Sequence, residues 1–294
     1  MTDLDSLRVG VVTGPRNPDL TAGARALVAA FERRGATAGP AVWTADEDWA
    51  GFDVLLVRSC WDYHERITDF RDWLATAEAA GATVLNPPDV VRWNVHKFYL
   101  RDLVDAGVPV LDTAFVERGS DRRLAGVLDD RGWTEAVVKP AVATSSTGAW
   151  RASRSDPDEQ RFEQAVADGD TLVQRFAPEI RAGERSLSFF GGDFAHAARR
   201  RPASDDFRAH HRYGGDSSLY EPADETVEQA ASALATARDR LGVSPSELPY
   251  ARVDGVLRDG RFLLMELELV EPYLWLGEAD GAVARLADAV EAAL

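Results

Sequence analysis

Lysine is almost absent from this chain of 294 residues, which carries 31 arginines and only two lysines, Lys97 and Lys139. The formal net charge is −16, and the most basic run, Arg199 to Arg201, is followed closely by two aspartates. Because a nucleic-acid backbone is bound by clustered Lys and Arg side chains, this charge balance argues against a nucleic-acid partner. The acidic, lysine-poor composition is typical of a halophile-like protein that stays hydrated in high salt, although a bias in genomic base composition would also favour arginine.

Cysteine and long apolar runs are scarce too. A single cysteine, Cys60, excludes a disulfide within the chain and indicates a reducing, cytoplasmic environment. No apolar run approaches the ~18–20 residues of a membrane span, and the opening MTDLDSLRVG is not typical of a signal peptide. Since hydrophobic residues make up 45% of the sequence, we predict a globular protein of two or three lobes with no membrane partner.

The first 95 residues alternate short β-branched runs with helical patterns that end at glycine. The runs LRVGVVTG and FDVLLVRS read as buried strands, so this region predicts an α/β lobe with a small parallel sheet. The loops GPRNPD and RSCWDYHER follow those strands, at the sheet edge where ligands usually bind. Residues 96–175 read as a small α+β lobe, and residues 176–294 as a C-terminal α+β lobe.

The loop AVATSSTGAW follows Lys139 and contains Ser145, Ser146, Thr147 and Gly148. Small residues allow several backbone N–H groups to converge on an anion, and they leave a segment mobile enough to act as a lid. The loop matches neither the Walker pattern nor G-x-G-x-x-G, and a loop without a ligand is the commoner interpretation of such a segment. The preceding lysine favours phosphate binding, because its ammonium is a compact point charge.

A second pattern lies in YARVDGVLRDGRFLLMELELVEP, which predicts two strands joined by an Asp-Gly turn. Alternation puts Glu266 and Glu268 on one face of the second strand, and Arg252 and Asp254 on one face of the first. A two-residue turn in regular register would separate the acids, whereas a three-residue loop or a bulge would pair Asp254 with Glu266 and Arg252 with Glu268. We expect the second register, and a cluster of oxygen ligands points to Mg²⁺. The alternative is a solvated sheet face with one Arg–Glu pair.

These segments, in this order, resemble the ATP-grasp superfamily of ligases. The resemblance runs from about residue 86 to residue 272, and it implies an N-terminal substrate lobe, a small lid lobe and a C-terminal lobe. Lys97 in NVHKFYL and Lys139 match the two lysines that bind the ATP phosphates in that superfamily. The Ser145–Gly148 loop then corresponds to the flexible loop over the nucleotide.

The segment LVQRFAPEIRAGERSL is similar to the hinge of glutathione synthetase-type members. This likeness implies that Gln174 and Phe176 line the adenine cleft and that Glu184 binds the ribose hydroxyls. The segments HAARRRP and DFRAHHRYGG are similar to that group's Arg-x-Pro segment and closing loop. They imply that Arg201 approaches the phosphates and that Arg208 contacts the substrate carboxylate.

Arg252-Val-Asp254 matches the superfamily's Arg-x-Asp, and Glu266-Leu-Glu268 matches its Glu-x-Asn except that Glu268 replaces asparagine. The resemblance therefore implies Asp254, Glu266 and Glu268 as ligands of Mg²⁺, with Mn²⁺ as an alternative, and Arg252 as a catalytic residue. A further likeness, in RSCWDY, LNPPDVVRWNVHKFYL and ERSLSFFGGDFAHAARRRP, is to the O-ureido-serine cyclo-ligases of cycloserine biosynthesis and their relatives.

The implied function is an ATP- and Mg²⁺-dependent ligase that activates a small-molecule carboxylate as an acyl phosphate for attack by an amine-type nucleophile, intramolecular in the cyclo-ligases. Arg58 and Asp62, in the loop after the second strand, are the expected charged contacts of the acceptor. A phosphotransferase on the same fold and a non-catalytic nucleotide-binding protein are the alternatives. The sequence also leaves a homodimer open.

Overall fold

The computed structural model describes residues 4–294 and contains three β-sheets. The first lobe is built from β1 (Arg8–Thr13), α1 (Ala22–Glu32), β2 (Thr37–Val42), β3 (Val54–Ser59), α2 (Ile67–Ala79) and β4 (Thr83–Leu85). Its strands lie in the order β2-β1-β3-β4 and all pairs are parallel, which confirms the predicted α/β architecture. Strand β3 is buried on both faces, and its alternate residues pack towards α1 on one side and α2 on the other.

The C-terminal helix α8 (Ala282–Ala292) packs with the first lobe. Leu286 and Val290 of this helix share one hydrophobic cluster with Val9 of β1 and Phe31 of α1. Although residues 176–294 were predicted to form one C-terminal lobe, the end of the chain thus returns to cover the first sheet. The reason is that this face of the parallel sheet is apolar and needs a second helix beside α1 to exclude water.

The small lobe is an antiparallel sheet with two helices on it. Its elements are β5 (Thr113–Val116), α5 (Leu124–Arg131), β6 (Glu135–Pro140), β7 (Trp150–Ser153), α6 (Glu159–Asp168) and β8 (Thr171–Arg175), with strand order β5-β8-β6-β7. The predicted lobe began at residue 96, but α4 (Tyr99–Asp105) packs into the core of the C-terminal lobe through Leu100 and Leu103. The small sheet therefore spans only residues 113–175.

The C-terminal lobe is a five-stranded antiparallel sheet. Its elements are β9 (Glu184–Phe190), β10 (Asp193–Arg201), β11 (Asp216–Tyr220), α7 (Asp224–Leu241), β12 (Ala251–Arg258) and β13 (Arg261–Glu268), in the order β11-β10-β9-β12-β13. Helices α4 and α7 cover one of its faces. Short 3₁₀ turns occur at Trp49–Gly51, Tyr63–Arg66, Pro178–Ala182 and His211–Tyr213. Within residues 4–294, no helix has the length and apolarity to cross a membrane.

Strand β13 is an edge strand, and side chains from the preceding helices form hydrogen bonds with its free backbone groups. Asn94, at the end of α3 (Pro88–Asn94), donates to the Leu267 carbonyl and accepts from the Leu269 N–H, both at 2.8 Å. The Tyr99 hydroxyl accepts from the Leu267 N–H at 2.8 Å. These bonds satisfy backbone groups that an edge strand otherwise leaves unpaired. They also hold the strand that carries Glu266 and Glu268.

We expect the Asn94→Ala variant to lose about 1–3 kcal/mol of unfolding free energy, because the buried Leu269 N–H would lose its partner. The Leu267 carbonyl would keep the hydrogen bond that the Tyr99 hydroxyl donates at 2.9 Å. Urea denaturation measures this change. The control is Gln164→Ala, which removes an exposed side-chain amide from helix α6 and should change stability by no more than about 0.5 kcal/mol. Equal stability of the two variants would contradict the assigned role of Asn94.

Candidate active site

A cavity of about 1030 Å³ lies where the three lobes meet. The first lobe contributes the loops after β1 and β3, the small lobe contributes β6, β8 and the Ser/Thr loop, and the C-terminal lobe contributes its sheet face and the loop after β10. Twelve of the predicted site residues line this cavity: Lys97, Lys139, Ser145, Ser146, Thr147, Gln174, Phe176, Glu184, Arg208, Arg252, Glu266 and Glu268. The predicted opening of the two first-lobe loops towards a ligand cleft agrees with this arrangement.

The acidic hairpin adopts the register that the sequence analysis favoured. Strands β12 and β13 pair Arg252 with Glu268 and Asp254 with Glu266, and the register shifts by one residue directly after Asp254. The turn is the two-residue Asp-Gly turn, so a bulge, with Met265 as the extra residue, brings the acids onto one face. Gly255 is required there, because a Cβ atom would lie 2.4 Å from the Leu263 carbonyl oxygen.

A ladder of alternating charges forms the floor of the cavity. The Arg200 guanidinium lies 2.7 Å from both Glu184 and Asp254, and the Arg252 guanidinium lies 2.8 Å from Asp254 and also bonds to Glu268. Asp254 is completely buried. Burial alone would raise the pKa of the Asp254 carboxyl, but Arg252 and Arg200 hold it below its usual value. The carboxylate is therefore ionised and shared by two arginines.

Both lysines act electrostatically on the Glu266 carboxylate. The Lys97 ammonium lies 3.0 Å from Glu266 and also donates to the Ala143 carbonyl, whereas the Lys139 ammonium donates to Gln174 at 3.2 Å. Burial lowers the pKa of Lys139, and Glu266 opposes that shift while Lys97 adds to it. The pKa of Glu266 lies below its usual value, because Lys97 and Lys139 outweigh the effect of burial. The strand-borne lysine and the acidic hairpin thus form one electrostatic unit.

One end of the cavity is apolar. Its wall belongs to a hydrophobic cluster in which Leu111, Ile180, Phe176 and Met265 meet between the small and C-terminal lobes. The Arg151 guanidinium stacks on the outer side of the Phe176 ring at 3.9 Å. An apolar slot beside convergent polar groups is the usual form of a site for an aromatic ligand.

The Ser/Thr loop is closed against the first lobe. The Thr144 hydroxyl donates to the Trp61 carbonyl at 2.6 Å and lies 3.0 Å from Nδ1 of His64. Ser145 and Ser146 have φ angles of 54° and 56°, in the left-handed region that L-residues adopt at a cost. The predicted residue Gly148 does not line the cavity; its φ of 74° favours glycine, and a Cβ atom there would lie 2.9 Å from the Pro140 ring.

Only some of the carboxylates that were predicted to bind a metal ion face the cavity. Among residues 4–294, no group of three or more His, Cys, Asp or Glu side chains could hold a metal as it stands. Asp254, a predicted ligand, does not line the cavity, and its oxygens accept bonds from Arg252 and Arg200. Glu266 and Glu268 do line it and supply the oxygens that Mg²⁺ prefers. Burial and the neighbouring acids raise the pKa of Glu268 to about 8 against the effect of Arg252, so a cation would relieve an excess of negative charge.

Comparison with known proteins identifies the family. The D-cycloserine synthetase DcsG N-terminal domain matches residues 9–86, and the prokaryotic glutathione synthetase ATP-grasp domain matches residues 120–243. The cycloserine biosynthesis protein DcsG of Streptomyces lavendulae is 34% identical over 257 residues, which cover 83% of this chain and 84% of that protein. The chain belongs to the DcsG-like family of ATP-grasp ligases.

Two solved structures agree with this assignment. The crystal structure of D-cycloserine synthetase DcsG superposes with a TM-score of 0.87 at 29% identity, covering 97% of this chain and 98% of that one. The D-alanine–D-alanine ligase from Bacillus anthracis complexed with ATP gives a TM-score of 0.67 at 18% identity over 97% and 96% of the two chains, which shows a shared fold. Glutathione synthetase of Parasynechococcus marenigrum (strain WH8102) is 29% identical over 192 residues, 64% of this chain and 60% of its own length. The predicted fold and the class of enzyme, a ligase forming C–N bonds, are confirmed.

In this DcsG-like ligase, Arg200 and not Arg201 reaches the cleft. Arg201 was predicted to approach the phosphates, but it does not line the cavity, whereas Arg200 contacts Glu184 and Asp254. Adjacent strand residues point to opposite faces, and the pairing of β10 with β9 shifts register between Phe194 and His196. Arg201 was assigned from the likeness to the Arg-x-Pro segment, but the arginine two residues before Pro202 is Arg200, so the assignment was wrong by one residue.

The predicted acceptor contacts Arg58 and Asp62 also lie outside the main cavity of the DcsG-like ligase. Arg58 is buried, donates to the Pro272 carbonyl at 2.7 Å and stacks 4.7 Å from the Tyr250 ring. Asp62 is buried 3.4 Å from the indole nitrogen of Trp43. The same two loops instead present other side chains, which the sequence analysis missed, to the cavity: Arg16, Asn17, Trp61, Tyr63 and His64. The sequence signal for these residues was their position in loops that follow parallel strands. Which of their side chains point into the cavity is visible only in the folded structure.

We expect Arg200→Ala to lower the unfolding free energy by about 3 kcal/mol, near the lower end of the cost of unpairing a buried charge, because Glu184 loses its guanidinium partner while Arg252 still holds Asp254. The matched control is the adjacent Arg201→Ala, with an expected change within about 0.5 kcal/mol. Chemical denaturation of both variants measures the difference. Equal losses, or a larger loss for Arg201→Ala, would contradict the assignment of faces along β10.

Proposed function

We propose that this ligase uses ATP to convert a substrate carboxylate into an acyl phosphate, and that a nitrogen nucleophile of the same amino-acid derivative then closes a ring. The observation that carries the proposal is the convergence of Lys97 and Lys139, the only lysines of the chain, on Glu266 inside a cavity lined by all three lobes. Two ammonium groups opposite an acidic cluster suit a nucleotide whose phosphates carry a divalent cation. The ring-closing step is proposed from the similarity to DcsG, which is a D-cycloserine synthetase.

The cavity offers a complementary surface to each part of ATP. The apolar wall with Phe176 suits the adenine ring, with Gln174 close by, and Glu184 would bind the ribose hydroxyls. Lys97 and Lys139 would neutralise the phosphates, assisted by backbone N–H groups of residues 145–147. With Thr144 bound to the first lobe, the same loop would keep water away from the reactive acyl phosphate.

Glu266 and Glu268 would hold Mg²⁺ or Mn²⁺, whose chemistry there is to offset phosphate charge. Asp254 would join them only if one of its arginines released an oxygen. Arg252, held by Asp254 and Glu268, faces the same cavity and would stabilise negative charge at the reacting centre. Arg208 lines the cavity, although Asp206 now pairs with its guanidinium, and we propose it as the contact of the substrate carboxylate. We assign the reaction to the cytoplasm, in keeping with one free, buried cysteine.

The test is a panel of amino acids, dipeptides and aminooxy acids, with both enantiomers of O-ureido-serine, incubated with ATP and Mg²⁺. A ligase releases ADP and phosphate in equal amounts, and a cyclisation gives a product that mass spectrometry identifies as a dehydrated form of one substrate molecule or a ring derived from it. ADP without free phosphate would indicate a phosphotransferase, and no turnover of any compound would contradict the proposed function.

We expect Lys139→Ala to weaken ATP binding by about 1–3 kcal/mol, the scale of a hydrogen bond to a charged group. Isothermal titration calorimetry with Mg²⁺ and a non-hydrolysable ATP analogue measures the change. Arg154→Ala provides the control, because Arg154 is an exposed cation in the same lobe and lies outside the cavity. Unchanged affinity in Lys139→Ala would refute the phosphate-binding assignment.

A further inference from the structure

The segment directly after β13 is held in place by three side chains. The carbonyls of Glu271, Pro272 and Tyr273 accept hydrogen bonds from Trp61 at 2.9 Å, Arg58 at 2.7 Å and Arg252 at 2.9 Å, respectively. Two of these donors belong to the first lobe and one to the floor of the cavity. Three consecutive carbonyls fixed in this way leave the backbone little freedom, so the point from which the Glu271 side chain extends is fixed.

The Glu271 carboxylate differs from the other acids of the cavity floor. Glu184 bonds to Arg200, Glu266 to Lys97, and Glu268 to Arg252. Glu271 lines the same cavity and is only 8% exposed, yet among residues 4–294 no other residue forms a hydrogen bond or ion pair with its carboxylate, which contacts its own backbone N–H. Its acceptor atoms are therefore available to a ligand.

The surroundings of Glu271 indicate which ligand group fits. Burial raises the pKa of Glu271 to about 7, with Lys97 opposing the shift and Glu266 adding to it. Near neutral pH the carboxyl therefore exchanges a proton readily. In its ionised form it can only accept hydrogen bonds, so its partner must carry N–H or O–H groups. The residue lies between Trp61 of the first lobe, on the acceptor side, and Lys97 on the phosphate side.

We propose that Glu271 is a catalytic residue that binds the N–H group of the attacking nitrogen and accepts its proton. The proposal rests on the proposed function. As the nitrogen attacks the carbonyl carbon of the acyl phosphate, a C–N bond forms. The bond between that carbon and the bridging oxygen of the phosphate breaks, and its electron pair leaves with the phosphate. The proton lost by nitrogen passes to a carboxylate oxygen of Glu271 and afterwards to phosphate or solvent. Activation of the carboxylate by ATP does not require this residue.

The test is Glu271→Gln, which keeps the size of the side chain and removes the proton acceptor. With the panel compound that wild-type enzyme cyclises, we expect kcat for product formation to fall about 10²–10⁴-fold, the usual contribution of a general base. We expect the KM for ATP and the Mg²⁺ concentration for half-maximal activity to stay within about twofold of wild type, because those sites are intact. Added hydroxylamine, uncharged at neutral pH and a good nucleophile, should still trap the acyl phosphate as a hydroxamate.

The control is Glu163→Gln, the same substitution at an exposed position of helix α6 outside the cavity. It should cyclise at the wild-type rate. Wild-type kcat in Glu271→Gln, or a loss of hydroxamate together with product, would overturn the proposal and leave the proposed function standing. A large rise in the Mg²⁺ requirement would make Glu271 a metal ligand and overturn it as well. Absence of turnover in wild type would contradict both proposals. If the melting temperature shows that Glu271→Gln does not fold, Glu271→Asp replaces it in the same assays. The shorter aspartate keeps a carboxylate but holds it farther from the attacking nitrogen.

Discussion

The buried carboxylate of Asp254, shared between Arg200 and Arg252, is the interaction on which the cavity floor depends. Burying one unpaired charge would cost several kcal/mol of folding free energy. Burying two cations beside a single acid would also be costly, because one positive charge would remain unpaired. Glu184 and Glu268 at the two ends of the ladder pair with these arginines, so the set has three acids and two cations and a bound cation would relieve the excess negative charge. Since these five side chains come from β9, β10, β12 and β13, the ladder also fixes the relative register of the sheet that carries the site.

Charged side chains outside this ladder also line the cleft, and their arrangement suits its proposed chemistry. The ammonium groups of Lys97 and Lys139 face Glu266 at the junction of the small and C-terminal lobes, next to an apolar wall. Glu271 lies next to the first lobe, and within residues 4–294 no other side chain bonds to its carboxylate. In the proposed function, Lys97 and Lys139 would bind the phosphates, and Glu271, just after β13, would lie at the acceptor end. A ligase that must hold an activated carboxylate between ATP and a nucleophile needs this order.

Prediction from the sequence succeeded where a local pattern sufficed. The β-branched runs predicted the parallel sheet, and the odd register of the hairpin followed from the expectation that Asp254, Glu266 and Glu268 share a face. It failed for the arginine run, where Arg201 was carried over from the likeness to an Arg-x-Pro segment. Arg200, two residues before Pro202, faces the cleft instead, because adjacent strand residues point to opposite faces of the sheet. Glu271 carried no signal, because an acid after a strand is usually solvated.

The sequence by itself was enough to predict three features: the importance of the two lysines, the acidic hairpin, and the alternation of strands and helices. Each of these depends on charge, periodicity or turn chemistry, which are properties of neighbouring residues. Only the tertiary structure decided which side chains meet. It directed Arg58 to a backbone carbonyl instead of the cleft, returned α8 to the first lobe, and left the carboxylate of Glu271 facing the cavity. These outcomes depend on packing between segments far apart in the chain, and no local pattern records the burial and partners that such packing creates.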